Sequence, residues 1–172
     1  MVAMTRLAIA LPLLAAPVLC TCLLRGPGGE EPGPAQPLAF NHALHAEQDL
    51  GCLDCHTEAD KGAYATLPRV KACLLCHAEP QGEHPDEPKV RAFAEDPGAI
   101  PWVQVNRVAG HVYFSHEAHV RWGGMDCAEC HGDVRRSTAP PTESQVDDLT
   151  MERCMECHSQ RGASNDCLTC HK

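Results

Sequence analysis

The first segment of the chain is its one long apolar run. Residues Leu7 to Leu24 carry no charged side chain, and the basic residues Arg6 and Arg25 lie on either side of them. The run is close in length to a bilayer-spanning helix, and a basic start followed by an apolar stretch is typical of export signals. We therefore predict an uncleaved signal-anchor over residues 1–25, with a cleaved signal peptide as the alternative. In both cases the body of the chain is exported.

Beyond this segment neither helical nor strand periodicity continues for long. Residues 26–39 are rich in Pro and Gly and predict a flexible linker. Alternation from Trp102 to Val105 favours one short strand. The segments "HALHAEQ", from His42, and "HEAHVRW", from His116, predict helical turns, because a spacing of three places both histidines on one face. The pattern predicts a mostly irregular fold with short α-helices and little or no sheet.

The same motif occurs twice in this irregular body. The pattern F-x-H-x-x-H begins at Phe40 and again at Phe114, and each copy is followed by C-x-x-C-H sequences. Residues 40–77 contain two of these sequences and residues 114–172 contain three. The connecting segment, residues 78–113, has no cysteine and is rich in Pro and acidic residues. The chain is therefore an internal repeat of two unequal blocks.

Ten of the twelve cysteines belong to five C-x-x-C pairs, and a histidine follows every pair. The five motifs are Cys52, Cys55 and His56; Cys73, Cys76 and His77; Cys127, Cys130 and His131; Cys154, Cys157 and His158; and Cys167, Cys170 and His171.

C-x-x-C-H is the attachment sequence of c-type haem. Two thiols one helical turn apart bond to the two vinyl groups of the porphyrin, and the next histidine then ligates the iron. Structural zinc also uses C-x-x-C pairs, but it gathers four ligands from two pairs and five pairs leave one over. A disulfide framework is the other alternative for an exported protein, although a two-residue gap is more typical of redox-active pairs. The repeated histidine favours five covalent c-type haems.

Composition agrees with haem as the filling of the interior. Aromatic residues make up only 4% of the chain, so a core built from side chains alone is thin for its length. Five large apolar macrocycles supply the missing material, with the short helices wrapped around them. The net charge of −9 argues against nucleic acid as a partner, because phosphate binding needs a basic patch.

Each motif supplies one axial histidine, so five further ligands are needed on the opposite faces of the irons. The available side chains are His42, His45, His84, His111, His116, His119, Met125 and Met151. These candidates are numerous enough for every iron to have an axial ligand on both faces. This supply therefore favours electron transfer, with no catalytic residues, over a multihaem enzyme, which needs an open coordination position.

The second block resembles the class III multihaem cytochromes, particularly their three-haem periplasmic members. The resemblance implies that the first histidine of F-x-H-x-x-H ligates the haem whose motif follows, and the second ligates the last haem of the block. The implied assignments are His42 for the Cys52/Cys55 haem, His45 for Cys73/Cys76, His116 for Cys127/Cys130, His119 for Cys167/Cys170, and Met151 for Cys154/Cys157.

Met151 occupies a position where that family has histidine, and His111 is the rival ligand. Methionine and histidine together are a known axial pair for haem iron. His84 lies among Pro and acidic residues, where a solvated histidine is the ordinary case. Phe40 and Phe114 are expected to pack against haem edges.

The phrases "IPWVQV", "LTMERCMECH" and "ASNDCLTCHK" are similar to the pentahaem subunit of alternative complex III and related quinol-oxidising membrane complexes. The resemblance covers residues 40–172. It implies an electron-transfer protein anchored in the inner membrane, with its haem domain in the periplasm. Its partners would be membrane quinol-oxidising subunits and a soluble carrier or terminal oxidase. A periplasmic or outer-surface electron shuttle is the alternative.

Overall fold

The computed structural model describes residues 33–95, 100–146 and 149–172. Its α-helices are short: α1 His42–Ala46, α2 Cys52–Cys55, α3 Val70–His77, α4 Glu87–Glu95, α5 Ala128–His131, α6 Met151–Arg161 and α7 Cys167–Cys170. A π-helical turn spans Ala118–Trp122 and a 3-10 turn spans Val134–Arg136. The predicted anchor, and the linker up to residue 32, lie outside the described residues. No helix in the three described ranges has the length and apolar character needed to cross a bilayer.

The predicted fold class is confirmed, since the described residues form short helices and irregular segments without a sheet. An isolated antiparallel bridge joins Val112 to His171. The strand expected from Trp102 to Val105 was a wrong prediction, because this segment pairs with a side chain instead of another strand. The Gln36 amide donates to the Val103 carbonyl oxygen at 2.9 Å and accepts from the Val103 backbone nitrogen at 3.0 Å.

Both predicted helical turns are present, and local residues explain where helices start and stop. The Asn41 side chain accepts from the Leu44 backbone nitrogen at 3.0 Å, which caps the start of α1. Thr150 caps α6 in the same way, accepting from the Arg153 nitrogen at 3.3 Å. α6 ends at Arg161, and the next residue, Gly162, has a φ of 67°, the left-handed conformation that glycine adopts without strain.

The apolar interior formed by side chains is small. In the described ranges the buried apolar residues are Leu38, Ala59, Val90 and Ile100. Three of them form one cluster beside α3 and α4, and Val70, Cys73, Phe93 and Trp102 pack against that cluster. The remaining helices therefore have little side-chain core to hold them, which agrees with an interior completed by prosthetic groups.

We expect a chain produced without haem attachment to be unfolded. Each fully buried aliphatic side chain contributes about 1.5–3 kcal/mol, whereas ordering each residue costs about 1–2 kcal/mol, so four buried side chains do not hold this chain together. Proton NMR of the chain purified from cells lacking the cytochrome maturation system should show the narrow dispersion of a disordered polypeptide. A dispersed spectrum with cooperative thermal unfolding would contradict this expectation.

Candidate haem sites

The histidines of the five motifs face five upstream histidines. The motifs are numbered here as sites I to V in chain order, so site I holds Cys52 and Cys55 and site V holds Cys167 and Cys170. The facing pairs are His42 and His56 at site I, His45 and His77 at site II, His116 and His131 at site III, His119 and His158 at site IV, and His111 and His171 at site V.

The separations of the facing rings fit an iron held between two imidazoles. The ring centres are 6.2 Å apart at site II, 6.4 Å at site III and 6.1 Å at site IV. A metal–imidazole bond is about 2 Å and the ring centre lies roughly 1.1 Å beyond the nitrogen, so two axial imidazoles have centres about 6.2 Å apart. A cavity lined by Phe114, Val120 and Met125 lies beside the site III pair.

Sites I and V complete the set with different geometry. Burial lowers the pKa of His42 most, and the neighbouring imidazoles of His56 and His45 lower it further, so His56 is the motif histidine near His42. The rings of His111 and His171 are stacked with centres 5.3 Å apart. These centres are about 1 Å closer than those of two axial imidazoles on one iron, and the His111 side chain is exposed.

Two of these pairs differ from the ligand pattern that the family resemblance implies. His119 faces His158 at site IV, not His171 at site V. His111 faces His171, because the Tyr113 backbone nitrogen donates to the Cys170 carbonyl oxygen at 2.7 Å and holds this segment against α7. Met151 is the first residue of α6 and its side chain is 56% exposed. The histidine that faces the site V motif in this structure is therefore His111, the rival candidate.

The two copies of F-x-H-x-x-H have the same internal geometry. Phe40 stacks on His45 with centres 4.3 Å apart and meets His42 edge-on at 4.7 Å. Phe114 stacks on His119 at 4.6 Å and meets His116 edge-on at 4.9 Å. Each phenylalanine thus orients both histidines of its copy. Sites I and II correspond structurally to sites III and IV, and site V is the additional one.

Backbone carbonyls orient five of these ten histidines through the Nδ1 atom, which leaves Nε2 for a metal. A metal-ligating histidine ordinarily bonds its second ring nitrogen in this way. The partners, with distances, are Asn41 for His45 at 2.8 Å, Thr66 for His56 at 2.8 Å, Ala63 for His116 at 3.1 Å, Ser115 for His119 at 2.7 Å and Ser164 for His158 at 2.7 Å.

Site II has a carboxylate in place of a carbonyl. The Oε1 atom of Glu87 lies 3.0 Å from Nδ1 of His77, and Arg91 forms an ion pair with the other carboxylate oxygen at 2.8 Å. Glu87 is only 8% exposed. The hydrogen bond from His77, with further ones from the Gln81 backbone and Arg91, lowers the pKa of Glu87 to about 2, so the carboxylate is ionised at neutral pH. Sequence inspection missed this residue, because it lies in an acidic stretch and no spacing distinguishes it from its neighbours.

The thiols of the motifs are free and lie near thiols of other motifs. All ten are unbonded, and burial raises the pKa of Cys73, Cys127, Cys130 and Cys154. In each case the next cause is a thiol of another site: Cys55 for Cys73, Cys52 for Cys127, Cys157 for Cys130 and Cys170 for Cys154. The free thiols are available for thioether bonds, and the five sites lie close together.

The remaining candidate histidine takes no part in a pair. His84 is exposed, and its Nδ1 accepts from the Asp86 backbone nitrogen at 3.1 Å within its own loop. Within the described ranges no three His, Cys, Asp or Glu side chains converge as a metal-binding group. Instead the histidines face one another in pairs, with a C-x-x-C pair beside each. This donor set suits haem iron.

Comparison with known proteins agrees with this donor set. Residues 112–172 match the family described as cytochrome c7 and related cytochrome c. The chain is also 28% identical over 161 residues to the protein named menaquinone reductase, multiheme cytochrome c subunit, of Nitratidesulfovibrio vulgaris. That alignment covers 80% of this chain and 77% of the relative. The C-terminal block thus matches the cytochrome c7 family, and similarity to a multihaem cytochrome c subunit extends over most of the chain.

Proposed function

We propose that this protein is a pentahaem electron-transfer subunit that works with a quinone-reactive partner in the membrane. The facing histidine pairs are the observation that carries the proposal. Five motif histidines face five others, so each iron would have an imidazole on both sides. An iron with both axial positions filled has no position for substrate, which favours electron transfer over catalysis.

The ligand assignment is part of the proposal. His42, His45, His116, His119 and His111 would serve sites I, II, III, IV and V respectively. The motif cysteines would hold each porphyrin by two thioethers, and each haem supplies a reversible one-electron couple. Phe40 and Phe114 orient the ligand histidines, and the Nδ1 bonds fix which nitrogen faces the metal.

The membrane partner is proposed from similarity. The relative is named as a subunit of a menaquinone reductase, which supports a partner that reacts with quinone. Quinol oxidation by that partner, with a soluble carrier or terminal oxidase as acceptor, is the direction implied by the sequence resemblance. The relative's name describes the opposite direction, quinone reduction. Two rapid-mixing experiments on the purified complex distinguish these directions by haem absorbance. A fast absorbance change with a menaquinol analogue favours quinol oxidation, whereas a fast change with a reduced soluble carrier and menaquinone favours quinone reduction.

We also propose that the N-terminal segment anchors the chain in the inner membrane, with the haem sites facing the periplasm. Full-length protein should then appear in the membrane fraction and require detergent for extraction. Recovery of shortened protein in the soluble periplasmic fraction would instead favour the diffusing shuttle.

The mature protein is expected to carry five covalent haems and to bind essentially no carbon monoxide when reduced. Both results follow from five attachment motifs and five filled axial pairs. Intact-protein mass spectrometry counts the haems, and optical titration of the dithionite-reduced protein with carbon monoxide measures open sites. A lower haem count, or carbon monoxide binding at one haem in the unmodified protein, would contradict the proposal and favour an enzymatic site.

A further inference from the structure

We propose that the five haem attachment sites form one unbranched series in the spatial order II–I–III–IV–V, with sites II and V at its ends. This order rests on the five attachments of the proposed function and adds the path that connects them. It differs from the order of the motifs along the chain. Four contacts between sites support it, one for each neighbouring pair.

Shared ligand segments join two of the neighbouring pairs. α1 contains both His42, the upstream histidine of site I, and His45, that of site II. The second copy of the motif places His116 of site III and His119 of site IV three residues apart in the same way. Residues three apart on a helical turn lie on one face, about 5–6 Å apart. Sites I and II are therefore neighbours, and so are sites III and IV.

Hydrogen bonds between the two blocks join site I to site III. The loop after site I accepts from the second block, with the Gly62 carbonyl bonded to the Glu117 nitrogen at 2.9 Å. The Ala63 carbonyl accepts from the backbone nitrogen of His116 at 3.2 Å and lies 3.1 Å from its Nδ1 atom. The first block thus meets the second through site I, although site II is the nearer of the two in sequence.

The loop after α6 joins site IV to site V. Asn165 donates to the Met155 carbonyl oxygen at 3.1 Å, which folds the residues before α7 back onto the site IV motif. The Ser164 carbonyl bonds His158, and the Ser164 hydroxyl lies 3.1 Å from that of Thr169 inside the site V motif. On the other side of site IV, Arg161 of α6 forms an ion pair with Glu129 of the site III motif.

The thiols follow the same series. Each inner site directs one cysteine toward each neighbour: Cys55 lies near Cys73 and Cys52 near Cys127, then Cys130 lies near Cys157 and Cys154 near Cys170. The two cysteines outside these contacts are Cys76 of site II and Cys167 of site V. This is the arrangement expected of a series with two ends.

Exposure of a leucine between the two cysteines of a motif also marks the ends. Leu75 of site II is 83% exposed and Leu168 of site V is 87% exposed. The apolar residues between the cysteines of the inner sites I and IV, Leu53 and Met155, are each only 43% exposed. An electron donor or acceptor would reach the series at sites II and V without crossing another site.

Two-dimensional NOE spectroscopy of the fully reduced, diamagnetic full-length holoprotein in detergent micelles tests the order. Each haem is assigned by cross-peaks to its own motif residues, which differ between sites. We expect cross-peaks between haem substituents of sites I and II, I and III, III and IV, and IV and V. A cross-peak between sites II and III, or the absence of one between sites I and III, would overturn the order. Mass spectrometry of the same sample separates this from failure of the proposed function, which would appear as fewer than five haems.

Discussion

In a His111→Ala variant, one haem in five is expected to become five-coordinate and to bind about one carbon monoxide per chain. His111 faces His171 with ring centres 5.3 Å apart, so its loss would leave the site V iron with one axial ligand. The side chain is exposed, so alanine should cost little folding stability. The measurements are the high-spin signal in electron paramagnetic resonance of the oxidised protein and carbon monoxide titration of the reduced protein.

Met151→Leu is the matched control, because Met151 is the competing candidate for the fifth ligand. Leucine keeps the size and apolar character of methionine but has no sulfur for iron. We expect this variant to keep five low-spin haems, since Met151 is 56% exposed and His119 faces His158. High-spin haem in Met151→Leu, with an unchanged spectrum for His111→Ala, would reverse the assignment.

A Glu87→Gln variant is expected to raise the reduction potential of the site II haem by on the order of 60 mV, which corresponds to a tenfold change in a one-electron equilibrium. The carboxylate accepts from Nδ1 of His77 at 3.0 Å and increases the basicity of that ligand, which stabilises ferric iron. Glutamine keeps the shape but loses the negative charge, and it leaves Arg91 without its carboxylate partner. A spectroelectrochemical titration resolves the shift as movement of one component among five.

Glu83→Gln is the control for this experiment, because it removes the same charge from an exposed position in the loop just before α4. It should leave all five potentials nearly unchanged, since exposed charges are strongly screened. Equal shifts in the two variants would show a general charge effect and reject a role for the His77–Glu87 bond. The pKa of Glu87 is lowered to about 2, so the carboxylate should maintain this bond above pH 5 and lose it only as pH falls toward 2.

Much of the fold was predictable because its signals are local in the chain. The two thiols and the histidine of each motif occupy five consecutive positions, so their spacing alone indicates the attachment chemistry. The three-residue spacing in "HALHAEQ" likewise predicts α1, and the scarcity of aromatic residues predicts the small side-chain core. Local regularity was misleading only from Trp102 to Val105, where the Gln36 side chain takes the hydrogen bonds that a neighbouring strand would make.

The partners of His158 and His171 lay beyond sequence inspection because they depend on contacts between distant segments. His111 reaches His171 only because Val112 bridges to the last residues of the chain. Glu87 reaches His77 only because α4 packs against α3. The series II–I–III–IV–V has the same origin, since the Gly62–Glu117 bond brings the second block to site I. Covalent attachment thus follows from neighbouring residues, whereas ligand pairing and site order follow from packing between residues far apart in the chain.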